Sequence, residues 1–497
     1  MLLHDLLKTS AAKYPDKKAA IHQKGSLTYR QLDERSDAFS GMLIGKGVKK
    51  GDRVVIFLDN SCDYLVAYFG ILKVGAVIVA LNSQLVPREL SVLLNDCTPK
   101  VIISDKKHSK TVEDTLKSCA QIDVLLIENL DFKKDHRPST IDHGLRAKDL
   151  ALIIYTSGTT GKPKGVMLSH ENLSANANSI IEYLKLTADD RIMVVLPFYY
   201  SYGNSLLTTH IKAGATLVID NRFMYPNIVI ENMIKEEVTG FAGVPSNFAI
   251  LISKSAIRNY KFPKLRYVTQ AGGAMMPAKI KEFLNIIPNI KFYVMYGQTE
   301  ASARLSYLEP DDLEQRMGSI GKAIPGVKLE VLNNDGNLVE VGEIGEIVAQ
   351  GRNIMQGYWN DSEQTKQVLK DNKVFTGDLA RIDEQGYIYI ISRKRDMIKS
   401  GANRISPFEI EDVASQIPGI IECAAVGIPD EILGEAIVLF IVTDGSDIKE
   451  QEIMLYCKQN LAIYKLPKRI VFIAELPKTA SGKIKREELK QLMANGQ

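Results

Sequence analysis

The string Tyr155-Thr156-Ser157-Gly158-Thr159-Thr160-Gly161-Lys162-Pro163-Lys164-Gly165 combines three features that suit a phosphate. Its glycines let backbone N–H groups approach oxyanions, the hydroxyls of Thr156, Ser157, Thr159 and Thr160 add donors, and Lys162 and Lys164 add positive charge. The apolar run at 150–155 (LALIIY) reads as a strand leading into it. The string is not a P-loop, because Pro163 stands where that pattern requires serine or threonine after the lysine. A flexible polar loop would share this composition, but it would not need this order behind a strand. The five cysteines, Cys62, Cys97, Cys119, Cys423 and Cys457, lie at least 22 residues apart and form no pair of the kind used in zinc or redox motifs. They read as free thiols in a reducing cytoplasm.

The elements that must hold this loop follow from the apolar patterning. Thr28 and Gln31 have capping-box spacing ahead of a helix through Leu32, Phe39 and Leu43. A β-branched run at 53–58, a helix at 64–73, a strand at 76–80, a helix at 87–94 and a strand at 101–104 follow. Strands separated by helix-length segments predict βαβ units and a mainly parallel sheet covered on both faces. The polar stretch at 133–148 reads as a surface connection. After the YIYII strand, SRKRD at 392–396 marks a boundary. Beyond it a helix at 407–413, a strand at 420–426, a helix at 451–460 and a strand at 469–473 suffice for a small α/β domain.

With 497 residues, 45% hydrophobic and 24% charged, the chain is too long and too apolar to be a stapled module or a disordered tail. Its formal net charge of +3 gives no overall field for nucleic acid. The start, MLLHDLLK, lacks a secretion signal, and the most apolar stretch, at 74–81, is far short of the ~18 residues a bilayer requires. A cytoplasmic protein with no transmembrane segment and no nucleic-acid partner is expected.

Together with Tyr296-Gly297-Gln298-Thr299-Glu300, the TGD at 376–378, SRKRDMIKSGANRISPFEIE at 392–411 and PKTASGKIKR at 477–486, the loop resembles the motifs of the AMP-forming adenylating superfamily in order and spacing. That superfamily includes acyl-CoA synthetases, peptide-synthetase adenylation domains and luciferases. The resemblance covers nearly the whole chain. It implies a large N-terminal domain of layered βαβ sheets, residues 1–394, that binds AMP, and a small mobile C-terminal lid of α/β type, residues 395–497. It also implies ATP, Mg2+ and coenzyme A, or the phosphopantetheine of a carrier protein, as the small molecules used.

The same resemblance assigns roles. Thr156, Ser157, Gly158, Thr159, Thr160, Gly161 and Lys162 would hold the phosphates. Tyr296 would stack on adenine, with Gly272, Gly273, Ala274 and Gly297 passing close to the nucleotide. Thr299 and Glu300 match the residues for the α-phosphate and the metal, while Asp378 and Arg393 match those for the ribose. Lys483 matches the lysine that stabilises charge as the substrate carboxylate meets the α-phosphate. It lies more than 300 residues beyond the loop, so the small domain must carry it back. Arg395 aligns with the hinge, where many relatives have aspartate or lysine. Ala402 stands where relatives usually have glycine, which leaves open how closely the thiol approaches there.

The implied reaction is adenylation of a small carboxylic acid with release of pyrophosphate, then attack by a thiol. The pocket for the acid is expected from 196–205, 241–247, 270–275 and the residues after Glu300, with Tyr200, Tyr202, Gly243, Gly273, Gln298 and Ala301 as its lining. These segments read as mostly small, apolar or aromatic. The aspartate that amino-acid-activating relatives place in LPFYYS is missing, which favours a non-amino acid. The short stretch after Lys483 leads to the expectation that the thiol comes from coenzyme A, or alternatively from a separate acyl or peptidyl carrier protein. An oxygenase of luciferase type would share these motifs. A silent binding module would lose essential groups, whereas Lys483, Glu300 and Asp378 are all present.

Overall fold

The structure is a computed structural model that describes residues 1–119, 122–130, 144–156, 163–401, 403–479, 482 and 484–494. The expected phosphate-binding residues Ser157, Gly158, Thr159, Thr160, Gly161 and Lys162, the expected Lys483 and the departure at Ala402 lie outside the described residues.

The described residues form four sheets. In one of nine strands the order is Lys322–Ala323, Ser306–Leu308, Lys291–Tyr296, Tyr267–Gln270, Gly240–Gly243, Arg191–Val194, Thr216–Ile219, Lys18–His22 and Gly25–Thr28. All neighbours from Lys291–Tyr296 to Lys18–His22 are parallel, and the edge strands are antiparallel. A sheet of seven strands runs Gly357–Tyr358, Lys164–Ser169, Leu150–Thr156, Val77–Ala80, Arg53–Ile56, Val101–Ser104 and Asp123–Leu126. The βαβ pattern read from the sequence therefore describes the centres of both large sheets. The helix Tyr29–Gly45 starts at the Thr28 capping box, and the helix Cys62–Val74 is buried along nearly its whole length between layers. One continuous apolar cluster joins Tyr29, Phe39, Tyr64 and Tyr68 to Ile154, Phe198 and Tyr202.

The other two sheets depart from a parallel reading. Val327–Leu332, Gly345–Gly351, Lys373–Ile382, Leu369–Lys370 and Ile388–Arg393 pair antiparallel. Alternating sequences such as VKLEVL, joined by turns built on Asn333 and Asp383, make hairpins there and leave no room for crossover helices. The last sheet, Asn403–Ile405, Ile398–Ser400, Gly434–Thr443, Ile420–Asp430 and Arg469–Phe472, is antiparallel except at its last strand. It carries the helices Pro407–Ala414 and Glu450–Asn460 over its own apolar cluster of Ile398, Ile410, Leu439 and Ile453. Each of the four late elements expected from the sequence is present, with ends shifted by up to four residues.

Candidate active site

Parallel strands expose their last residues and the following loops along one edge, which is where ligands collect in open α/β sheets. In the nine-stranded sheet that edge carries Gly243, Gln270, Tyr296 and the turn after Val194, ahead of the helix Ser201–Ala213. Gly272, Gly273 and Ala274 follow Gln270 and are exposed. Gln270 Nε2 donates to the Gly273 carbonyl at 2.7 Å, which fixes that turn.

The segment 296–301 contributes most of the polar groups. Tyr296 is buried, and its hydroxyl donates to Asp378 Oδ2 at 2.7 Å. Asp378 Oδ1 faces Arg393 Nε at 3.0 Å, because Asp378 and Arg393 are register partners in one hairpin. Burial, and then the Asp378 carboxylate, raise the Tyr296 phenol well above its usual range. Burial works against the Arg393 charge, but Asp378, Tyr296 and Glu300 outweigh it and hold the guanidinium more firmly protonated than usual. Thr299 Oγ1 lies 3.3 Å from Ser201 Oγ. Glu300 Oε1 accepts from the Tyr358 hydroxyl at 2.7 Å, and the Glu300 carbonyl accepts from Met355 N at 2.9 Å. Burial, reinforced by Glu300, keeps the Tyr358 phenol protonated and so a donor.

Gly297 has a reason that lies in the chain itself. A Cβ there would come within 2.0 Å of the Ala303 carbonyl oxygen, so only glycine lets 297 pack on 303–304 while Leu305 N bonds the Tyr296 carbonyl at 2.9 Å. Tyr202 is also fixed, its hydroxyl shared between Thr269 Oγ1 at 2.8 Å and the Thr269 carbonyl at 3.0 Å. Tyr200 precedes the same helix, half-buried, with its ring 4.6 Å from that of Tyr199. Gly243 lies at a buried strand end against Phe241 and Phe248. Gln298 is half-buried and Ala301 fully buried.

The base of the glycine-rich loop is held as a hairpin, with Tyr155 opposite Gly165 and Thr156 opposite Lys164. The Tyr155 hydroxyl donates to Asp96 Oδ2, Trp359 N bonds the Gly165 carbonyl at 2.7 Å, and Trp359 Nε1 donates to the Asp96 carbonyl at 3.1 Å. Lys164 Nζ bonds Gln364 Oε1 at 2.7 Å and lies 5.2 Å from the centre of the Tyr358 ring.

The C-terminal hairpin also reaches this edge. Lys485 N bonds the Pro477 carbonyl at 2.8 Å, and Lys478 pairs with Ile484 in an isolated bridge. Gly482, at φ +80°, is so close to the helix after Gly243 that a Cβ would lie 2.7 Å from Ser246 Oγ and 2.8 Å from Val244 Cγ2. The residue next to Lys483 therefore touches the large body beside the expected acyl pocket. Sequence reasoning passed over Ser201, Tyr358 and Arg304. Ser201 stands between two tyrosines that it did name, whereas Tyr358 comes from a distant segment with no motif.

Comparison with known proteins agrees with this layout. The description "AMP-binding enzyme" matches residues 7–359, and "AMP-binding enzyme C-terminal domain" matches residues 409–483. The chain belongs to the AMP-binding enzyme family. A long-chain-fatty-acid–CoA ligase of Salmonella typhimurium is 33% identical over 98% of this chain and 94% of its own length. A feruloyl-CoA synthase of an Amycolatopsis species is 34% identical over 96% of each. Among solved structures, an anthranilate CoA ligase in complex with anthranoyl-AMP matches with a TM-score of 0.91 at 27% identity, covering 100% of this chain and 98% of that one. This AMP-binding enzyme is an AMP-forming acid–thiol ligase of acyl-CoA synthetase type, working through an acyl-adenylate. The superfamily read from the motifs, the α/β fold with a large and a smaller domain, and the ligase chemistry all stand. Among the described residues no helix is long and apolar enough to cross a membrane.

Proposed function

We propose that the chain joins a small carboxylic acid to the pantetheine thiol of coenzyme A, in a cytoplasmic setting, with the residues at the strand ends in the following roles. The observation that carries the reading is convergence: Thr299, Glu300, the Tyr296–Asp378–Arg393 group and the hairpin at Gly482 meet at one sheet edge though they come from distant segments.

Asp378 takes the ribose hydroxyls and Arg393 holds that carboxylate in place, while the Tyr296 ring lies against adenine. Residues 156–162 bind the phosphates, carried on a base that Asp96 and Trp359 clamp. Thr299, with Ser201 beside it, donates to the α-phosphate. Glu300, its orientation set by Tyr358, offers a carboxylate that fits Mg2+, which keeps several waters and binds through one or two carboxylates and substrate oxygens. When bound, that ion would neutralise phosphate charge. Lys483 stabilises the charge that develops as the acid's oxygen meets the α-phosphorus, and pyrophosphate leaves in line. The thiol then attacks the acyl carbon and AMP departs.

The boundary at 394/395 falls between two elements, Ile388–Arg393 and Ile398–Ser400. Lys394 N still bonds the Gly377 carbonyl at 2.8 Å, whereas the ion pair of exposed Arg395 among the described residues is with its own neighbour Asp396 at 3.4 Å, as suits a pivot. The test is carboxylate-dependent exchange of pyrophosphate into ATP across aliphatic, aromatic and amino acids, followed by product mass after adding coenzyme A or a holo-carrier protein. No exchange with any acid would remove the reading, and a carrier-only product would remove coenzyme A.

A further inference from the structure

The pocket for the acid was read from the sequence as small, apolar or aromatic, yet one cation lies against it. Arg304 is only 3% exposed. Its backbone is pinned, since its carbonyl accepts from Asn353 Nδ2 at 2.9 Å and Asn176 Nδ2 at 3.2 Å, and its Cα packs directly beneath Gly297. Its guanidinium carbon sits 4.0 Å from the centre of the Tyr202 ring, and Tyr202 is itself anchored to the strand end at Thr269.

The hydrogen bonds of this guanidinium are poor. Nε donates to the Met295 sulfur at 3.3 Å, a weak acceptor, and Nη1 to the carbonyl of its own neighbour Ala303 at 3.3 Å. The Tyr183 hydroxyl is a further, neutral partner of the guanidinium, and among the described residues no carboxylate lies within ion-pair distance of Arg304. The contrast with other arginines is sharp: Arg266 pairs with Asp190, Arg393 with Asp378 and Arg486 with Glu411. A buried guanidinium without a counter-ion costs far more than one aromatic face returns, so a chain that keeps it there has a use for the spare donors.

We infer that Arg304 binds a second carboxylate on the acid, which makes the substrate class dicarboxylic. The near carboxylate is adenylated at the strand ends, and the far one completes the guanidinium, whose planar fork matches a carboxylate through two parallel hydrogen bonds. A monoester of the same length would leave that cation unsatisfied, so discrimination is expected to be large. The inference rests on the ligase reading above.

The test is pyrophosphate exchange with aliphatic and aromatic diacids of graded length, each beside its monomethyl ester. In the wild-type enzyme at least one diacid is expected to exceed its monoester by about a hundredfold or more in kcat/KM, a comparison that needs no variant. Arg304→Met is expected to lower diacid turnover by a similar factor and to raise that of the monoester, with KM for ATP unchanged, and Arg304→Lys to restore part of the diacid activity. A purely structural arginine would leave the diacid-to-monoester ratio in place. Monoesters accepted as well as diacids, or a ratio untouched by Arg304→Met, would overturn this inference alone. No exchange with any acid would overturn the ligase reading and this inference together.

Discussion

The hydroxyl of Tyr296 donates to Asp378 at 2.7 Å, tying the end of a parallel strand in one sheet to an antiparallel hairpin in another. With Arg393 on its other oxygen at 3.0 Å, the Asp378 carboxylate is oriented before any nucleotide arrives. That rigidity is what a ribose-binding acid needs, since two hydroxyls must meet two oxygens at once.

Asp378→Asn is therefore expected to raise KM for ATP at least about tenfold, the loss of roughly one charged hydrogen bond. It should also lower stability by about 1–2 kcal/mol, less than for a fully buried pair because the Arg393 side chain keeps 30% exposure. Tyr296→Phe keeps the ring and loses only the hydroxyl, so it should cost about 1 kcal/mol and change KM for ATP by no more than about threefold. Steady-state kinetics and urea denaturation separate the two variants. Equal nucleotide defects in both would contradict the ribose assignment.

The hairpin beside Lys483 allows the two half-reactions to be separated. Gly482→Ala places a methyl group 2.7 Å from Ser246 Oγ on a backbone at φ +80°. Left-handed strain of about 1–2 kcal/mol would push the tip away from the large body and slow adenylation roughly tenfold or more. Thioester formation from supplied acyl-AMP should change little on the account that the family resemblance implies, in which the small domain rotates about Arg395 after adenylation and presents another face to the thiol. Lys483→Ala should show the same asymmetry more strongly. Equal loss in both half-reactions, measured by pyrophosphate exchange and by thiol consumption, would sink the rotation account.

The same hairpin depends on one buried ion pair. Arg486, at the start of the last helix, contacts both oxygens of Glu411, at 2.5 and 3.1 Å, and donates to the Ala425 carbonyl at 2.7 Å. Glu411 is 2% exposed and also accepts from Ala425 N at 2.8 Å. Glu411→Gln would strand the guanidinium and cost about 3–5 kcal/mol. The expected signature is earlier unfolding of residues 398–494 in hydrogen exchange, with the large sheets unchanged. Uniform loss of protection across both bodies would contradict a local role.

The motifs around 155–165, 296–300 and 477–486 were legible because glycine, hydroxyl and charged residues at fixed spacing serve a single chemistry, and the parallel sheets were legible because buried strands read as apolar runs. The antiparallel sheet of 327–393 was not, since βαβ counting assumes parallel strands joined by crossover helices, and here neighbours such as Lys373–Ile382 and Ile388–Arg393 are joined by short polar turns. Arg304 was passed over for another reason. Its lack of a counter-ion depends on which residues fold around it, and a sequence cannot show that a carboxylate is absent. Tyr358 was hidden likewise, reaching Glu300 from 58 residues away.

Two histidines deep in the large body are expected to weaken the fold towards acid pH. His170 accepts from Leu3 N through Nδ1 at 3.0 Å. His210 donates through Nδ1 to the Leu206 carbonyl at 2.9 Å, and its Nε2 lies 3.2 Å from the Tyr267 hydroxyl. Both are 1% exposed, and burial first of all pulls each down to about 4. An unfolded histidine titrates near ~6.5, so between ~6.5 and ~4 the unfolded chain binds protons that the native one refuses. Stability from these groups is complete above ~6.5 and falls as pH drops towards 4, by on the order of 3 kcal/mol per histidine across that window. Urea midpoints measured from pH 7.5 to 4.5 should fall steeply below 6.5. His210→Gln, which keeps a donor and an acceptor but does not titrate, should flatten that slope by about half, and an unchanged slope would mean that other groups set the acid limit.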